Sequence, residues 1–532
     1  MRHRFVLLLL SIDASAAATS LNIIMSRHGQ RSPYPPPQSS SAAGTSPWSA
    51  RALPEAAAWN MTQDEFDSHW LTQHGIALLR HMGEHVASSM GGDPCAVESM
   101  LVADGTSHRD LQSAQAWAWG FYPAECVATR IAAVVAATDA TSPILAPVVS
   151  DLPDVGCRGP AEAEVRHLFG GDTAALTTAY RAQIERVGEV IQCCSLATCA
   201  AHGLGRNCTL AELPYSFTGH FWNYYDGPLS VAASFAETFV LQATSGLEPF
   251  AWGEVALDEL TELYRMHQRM MWLGAGRNSS RAYASHALAY MLASLEQVVS
   301  DSPQPGVADP SWRPSTRPDE ALVLALFAHD FNLLYLRQLL DVHWITDSFD
   351  FDAATTGSFI SLELRREPFG SSGSDGSGGG GGGSADGEWR LVGTLTAASI
   401  EQQRNRAPLV PPHRPPTIAT FLDVPYAEFK RRALSGLDER CVREPLRGTI
   451  ARLLQAEALA TAAPSGGGES AEVAISISAG VAVVATLGLL GAGCMCAALL
   501  NAVRRRRSDM PPPTKLVEIS NIGSPPTEGR VA

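Results

Sequence analysis

The sequence predicts an α/β chain: a central mixed sheet flanked by helices, a second, mostly helical lobe, and one C-terminal transmembrane helix. Three observations carry that expectation. Leu21 to Ser26 and Ala321 to Ala328 are apolar runs that read as buried strands, each delivering a polar cluster at its end. From Ser230 to about Val299 apolar positions recur at helical spacing. Val473 to Val503 is 31 residues without a formal charge, ample for one membrane-spanning helix.

Taken in order, Met1-Arg-His-Arg4 is basic, Phe5 to Ile12 is largely apolar, and Ala14-Ser15-Ala16 is a small-residue cleavage site, so residues 1–16 read as a signal peptide. The expected body spans 17–461. Its first strand ends at Arg27-His28-Gly29-Gln30-Arg31-Ser32-Pro33, and strand ends are where α/β folds place ligands. Tyr34 to Asn60, rich in Pro, Ser and Ala, reads as a surface loop. Leu71-Thr-Gln-His-Gly75 opens a helical pattern to about Met90, Met100 to Ala103 reads as a short strand, and Arg109 to Gly120 as a helix. A helical insert is expected over about 125–310. The strand Ala321 to Ala328 then delivers His329-Asp330.

Ile360 to Arg366 and Trp389 to Leu395 read as paired strands around a Gly/Ser-rich loop, 370–387, which contains an unbroken glycine run from Gly378 to Gly383. A stalk over 462–472 leads to the transmembrane helix, 473–503, and a disordered tail, 504–532. Glu469 and Glu472 precede the span and Arg504 to Arg507 follow it, which puts the tail in the cytoplasm and the body outside the cytosol, a single-pass type I arrangement. The compartment is extracellular or the lumen of an endomembrane system. No internal repeat is present.

The net charge of −15 is unevenly spread. Without leader and tail the chain carries 31 basic against 50 acidic residues, near −19, which excludes nucleic acid as a partner class. Lys430 and Lys515 are its only lysines, so an anion site must be built from arginine, histidine and backbone N–H groups. Eight of the ten cysteines lie in the body (Cys95, Cys126, Cys157, Cys193, Cys194, Cys199, Cys208, Cys441), an even number that suggests disulfides in a translocated domain. Asn60-Met-Thr62, Asn207-Cys-Thr209 and Asn278-Ser-Ser280 are glycosylation sequons open to the same route.

Two arginines four apart bracket His28, and Gly29 lets backbone approach a ligand closely. That pattern suits an imidazole nucleophile inside a guanidinium cage gripping a phosphoryl group. With His329-Asp330 at a second strand end, the chain resembles the histidine acid phosphatases, branch 2 of the histidine phosphatase superfamily. Within them it is most similar to the bacterial glucose-1-phosphatase and periplasmic phytase group. Further likeness lies in Leu71-Thr-Gln-His-Gly75, in Arg109 with Ser113-Ala-Gln115, in Glu237-Thr-Phe-Val-Leu-Gln242, in Trp252-Gly253, in His329-Asp330-Phe-Asn332 and in Glu401-Gln-Gln-Arg-Asn405. Coverage runs from about Leu21 to Cys441.

The resemblance implies a phosphate monoesterase with His28 as nucleophile, forming a phosphohistidine. Arg27, Arg31, Arg109 and His329 would bind the equatorial oxygens, and Asp330 would protonate the leaving alkoxide and then act as base toward water. That division expects Asp330 to be protonated when substrate binds, which fits an acidic optimum. Glu237 matches a family position on the leaving-group side. No metal or cofactor is expected; the substrate is a small phosphate monoester, with phytase and sugar-phosphatase specificities both open. Disulfides Cys95–Cys126, Cys157–Cys441 and Cys199–Cys208 follow from the same resemblance, leaving Cys193 and Cys194 unassigned.

Asp110 stands where the family usually has threonine, and the spacing from Asp104 to Arg109 is one residue longer than in bacterial relatives; both bear on where Arg109 sits. His81-Met-Gly-Glu84-His85 has the form of an inverted zinc-protease motif but lacks a third ligand, so a plain helix is expected. Trp117, Trp119 and Phe121 read as core. A catalytically silent surface receptor is the alternative, disfavoured by intact His28, Arg31 and Asp330. The mutase branch is disfavoured by the His-Asp pair.

Overall fold

The continuous apolar runs form the middle of a seven-stranded sheet, and its strand order explains how distant motifs meet. The computed structural model describes residues 19–34, 47–105, 107–131, 134–137, 154–167, 171–220, 223–273, 276–307, 322–367 and 387–462. The expected signal peptide, the membrane span 473–503, the tail, the stalk beyond Ala462 and nearly all of the Gly/Ser-rich loop lie outside these residues. Among the described residues no helix is long and apolar enough to cross a membrane.

The strands are β1 (Thr19–Arg27), β2 (Glu98–Asp104), β3 (Val134–Ala137), β4 (Ser216–His220), β5 (Asn223–Asp226), β6 (Leu322–Ala328), β7 (Phe359–Glu367), β8 (Glu388–Ala397) and β9 (Thr417–Pro425). The main sheet runs β3-β2-β6-β1-β7-β8-β9, while β4 and β5 form a separate hairpin. It is mixed: β3, β2, β6 and β1 run parallel, and β7, β8 and β9 each pair antiparallel with a neighbour. Strand β6 lies beside β1 in register from Leu21↔Leu322 to Arg27↔Ala328. The two polar clusters therefore emerge side by side at the carboxyl edge of the sheet, although some 300 residues separate them.

Helices cover both faces, so the central strands are apolar on both sides. Leu21, Ile23, Met25, Leu322, Leu324 and Leu326 pack with the helices Arg277–Ser300 and Asp330–Leu340. On the other face Ile24, Val323 and Phe327 pack with the helices Gln73–Met90 and His108–Phe121. Trp117 and Phe121 are fully buried there, stacked with centroids 4.7 Å apart, and serve as core.

A second core, mostly helical, forms around Pro228–Thr244, in which every residue except Ser234 is buried. Its partners include the helices Arg181–Val190 and Leu257–Leu273. Two details differ from the sequence expectation. Val134–Ala137 joins the main sheet beside β2, so the helical insert starts later than about 125. In the segment read as surface loop, Trp48 and Trp59 are buried (4% exposed each), because an indole has enough apolar area to anchor a loop. Disulfides join Cys95 to Cys126, Cys157 to Cys441, Cys199 to Cys208 and Cys193 to Cys194. Such bridges mark an extracellular or secreted domain.

The loop after β1 is clamped by the start of the Gln73–Met90 helix. Thr72 N–H donates to the Gln30 carbonyl (2.9 Å), Leu71 bridges to Arg31, and Thr72 Oγ1 caps the helix at Gly75 N–H (3.2 Å). A methyl group on Gly75 would collide with the Gln30 backbone, which explains glycine in Leu71-Thr-Gln-His-Gly75. Gly75→Ala is expected to destabilise the protein by about 1–3 kcal/mol, an overpacking cost at rigid backbone. Chemical denaturation of the variant beside wild type, at unchanged m-value, measures it.

Candidate active site

Three arginines converge on His28, and the carboxylates around them set the electrostatics. Arg27, the last residue of β1, is 1% exposed. Its Nη1 donates to the Tyr264 hydroxyl (2.9 Å) and the Ala354 carbonyl (2.8 Å); its Nη2 lies 3.1 Å from Glu237 Oε1 and 2.9 Å from Asp330 Oδ2. Arg31 pairs with Glu237 Oε1 through Nη2 (3.2 Å). Arg109, in the first turn of His108–Phe121, places Nη2 3.3 Å from His329 Nδ1. Tyr34 roofs two of these groups, its ring centroid 4.2 Å from the Arg31 guanidinium carbon and 5.5 Å from that of Arg109. The Nε atoms of all three arginines are buried without a hydrogen-bond acceptor among the described residues.

His28 is buried, its ring centroid 5.7 Å from that of His329. Its Nδ1 lies 2.8 Å from the Gly29 carbonyl oxygen. A carbonyl only accepts, so Nδ1 carries the proton and the neutral ring keeps its lone pair on Nε2. Burial, reinforced by Arg109, Arg27, Arg31 and His329, holds the His28 imidazole well below the ordinary histidine range. The neutral form of the ring is the favoured one.

His329 caps the Asp330–Leu340 helix, with Asn332 Oδ1 accepting from its backbone N–H (3.1 Å). Asp110 Oδ2 (3.4 Å) and Asp104 Oδ2 (3.8 Å) face its Nε2, while its Nδ1 accepts from the Arg109 guanidinium. Burial pushes the Asp110 carboxyl up, against the pull of His329 and Arg109. Asp110 thus faces His329 and lies within the electrostatic reach of Arg109.

Asp330 opens its helix, where the macrodipole favours a carboxylate. Burial alone would raise this group, but Arg27 and His267 hold it well below the usual carboxylate range. With Arg27 paired to it the charged form is favoured; the expected protonated acid belongs to the state with substrate bound. The sequence does not reveal that ion pair. Glu237 is 8% exposed and bonds both Arg27 and Arg31. Burial would raise it too, yet Arg31, His267 and Arg27 bring it down to about 2.

Sequence reasoning missed His267, whose Nε2 lies 3.4 Å from Asp330 Oδ2 and 3.6 Å from Glu237 Oε1, and Tyr264 one turn before it. Neither carries a spacing signal: both sit among apolar residues of an amphipathic helix. It missed Gln30 too, whose Nε2 donates to Gln403 Oε1 (2.6 Å) and ties the loop to the Glu401-Gln-Gln-Arg-Asn405 segment. At the surface His81 Nδ1 bonds Glu84 Oε2 (2.8 Å). Among the described residues the Asp/Glu/His groups close enough to share an ion are Asp104–Asp110–His329 and Glu237–His267–Asp330, not His81–Glu84–His85.

Residues 22–366 match the histidine phosphatase superfamily, branch 2. The chain belongs to that family. It is a histidine-type phosphatase of phosphate monoesters. No curated protein matches it by sequence. Among solved structures it is similar to the Hafnia alvei phytase in complex with myo-inositol hexakis sulphate (16% identity, TM-score 0.60, covering 80% of this chain and 98% of that one). The phytase from Citrobacter braakii (18%, 0.60, 80% and 99%) and that of Klebsiella sp ASR1 (18%, 0.57, 81% and 98%) are similar too. At such identities the likeness is one of fold.

The Glu237 carboxyl lies below its unfolded value of about 4.3, so it contributes stability above that pH which is lost as pH falls toward 2. Glu237→Gln is expected to melt lower than wild type at pH 6, with the gap closing on acidification to pH 2. Thermal scans across that range check it; a gap independent of pH contradicts the ion-pair account.

Proposed function

We propose that the protein is an acid phosphatase working through a phosphohistidine on His28, with its catalytic body on the lumenal or extracellular side of a membrane. The observation that carries the mechanism is the neutral His28 ring, tied by Nδ1 to the Gly29 carbonyl with Nε2 free amid three arginines. Nε2 attacks phosphorus in line, the P–N bond forms, and the ester P–O bond breaks with its electron pair on the leaving oxygen. A proton delivered through Asp330 neutralises that oxygen. Water then attacks, loses a proton to Asp330, and the P–N pair returns to Nε2. Arg27, Arg31 and Arg109 hold the equatorial oxygens through donors that include their unpartnered Nε–H groups, and His329 completes the oxygen-binding set beside Arg109.

Substrate arrival also resolves the state of Asp330. The phosphoryl dianion competes with Asp330 and Glu237 for Arg27, and its own charge favours a proton on Asp330. The structural neighbours are phytases. The acidic, nearly lysine-free body favours esters with few phosphates over a polyphosphate such as phytate, because long-range repulsion rises with substrate charge. The apolar run 473–503 and the Arg504 to Arg507 cluster support a single-pass type I anchor, and the disulfides fit the compartment.

Full-length protein in detergent is expected to hydrolyse 4-nitrophenyl phosphate near pH 5 in the presence of chelator. His28→Ala is expected to lose at least about 10³-fold in kcat/KM, as loss of a nucleophile does. Full activity in the variant, or dependence on added zinc, rejects the reading.

A further inference from the structure

We infer that His267 is a positioning residue for the leaving-group proton, holding it on a His267–Asp330 pair and passing it through the Asp330 carboxyl. The inference rests on the phosphatase reading and deepens it. An acid that is paired at rest to Arg27 has no proton of its own to give, so the proton needs another carrier at hand. His267 is placed for that. It lies on the Leu257–Leu273 helix, is 4% exposed, and is fixed by stacking on Tyr264 (centroids 5.2 Å apart, planes 13° apart). Its Nε2 faces Asp330 Oδ2 at 3.4 Å, while its Nδ1 has no hydrogen-bond partner among the described residues. The ring's donor capacity is therefore aimed at the two carboxylates, Asp330 and Glu237.

The alternative assignments of Asp330 Oδ2 are limited by its neighbours. Oδ1 accepts from the Phe331 N–H (2.9 Å), and Oδ2 is shared between Arg27 and His267. When the phosphoryl group engages Arg27, His267 is the donor that remains on Oδ2. The pair enters this step with one proton beyond those of a neutral ring and a carboxylate; the carboxyl gives that proton to the ester oxygen as the P–O bond breaks, and a neutral ring facing a carboxylate is left. In the second step water gives its proton to Asp330 as its oxygen bonds phosphorus and the P–N bond breaks. The proton returns to Nε2, and the pair regains its starting state.

Leaving groups separate this role from a structural one. Phosphorylation of His28 by 4-nitrophenyl phosphate expels a stabilised phenolate that leaves without a proton, whereas glycerol 2-phosphate expels an alkoxide that needs one. In His267→Asn, kcat/KM for glycerol 2-phosphate is expected to fall about 10²-fold or more, the usual contribution of a positioned acid, and for 4-nitrophenyl phosphate by less than about tenfold. Asp330→Ala should show the same selectivity. His267→Gln, a closer match in length, replaces the asparagine variant if that one melts before the assay temperature. Equal losses on the two esters, or no loss on either, overturn the proposal. Wild-type protein inactive on both esters rejects the phosphatase reading itself.

Discussion

Three guanidinium groups and an uncharged imidazole share one buried pocket, and the rest of the structure answers to that concentration of positive charge. Burying a lone ion costs several kcal/mol even after relaxation, so such a cluster survives only with carboxylates in reach. Glu237 and Asp330 supply them to Arg27 and Arg31, while Asp104 and Asp110 stand behind His329. The same field acts in one direction on His28 and Asp330, favouring the proton-free form of each. Together with burial it holds the His28 imidazole well below the ordinary histidine range, and against burial it holds the Asp330 carboxyl well below the usual carboxylate range. The site is thus tied together by the ion pairs of Arg27 and Arg31 with Glu237 and Asp330.

Topology makes the cluster possible. Because β6 lies parallel to β1, His28 and Asp330 emerge one strand apart, and β2 on the far side of β6 leads directly to Arg109. The fourth contribution comes from the helical lobe. Pro228–Thr244 is buried nearly all round, so it can carry Glu237 into the arginines without exposing a charged face elsewhere, and Leu257–Leu273 adds Tyr264 and His267. Sheet and lobe each supply part of one charge balance, which is why neither alone would make a competent site.

Much of this was legible in the residues. Leu21 to Ser26 and Ala321 to Ala328 are uninterrupted apolar runs, the pattern that strands covered on both faces impose, so the strands and the clusters at their ends could be read directly. The helical lobe was legible from periodicity. Val134–Ala137 was not, because its alanine-rich surroundings read as helix, and Thr417–Pro425 was not, because a half-exposed edge strand behind a proline-rich approach carries little apolar signal. His267 escaped for a different reason: its function lies in a contact with Asp330, from another element, and a lone histidine in an amphipathic helix has no spacing to betray it. The lowering of the Asp330 carboxyl escaped likewise, since it depends on a 2.9 Å contact between residues far apart in sequence.

The central claim is that the phosphoryl group passes through His28 itself. Rapid quenching of full-length protein turning over a ³²P-labelled monoester, followed by denaturation, tests it most directly. The account predicts label on His28 that is lost in acid, kept in alkali, and absent from His28→Ala. Proven turnover with no acid-labile label on that side chain would contradict it.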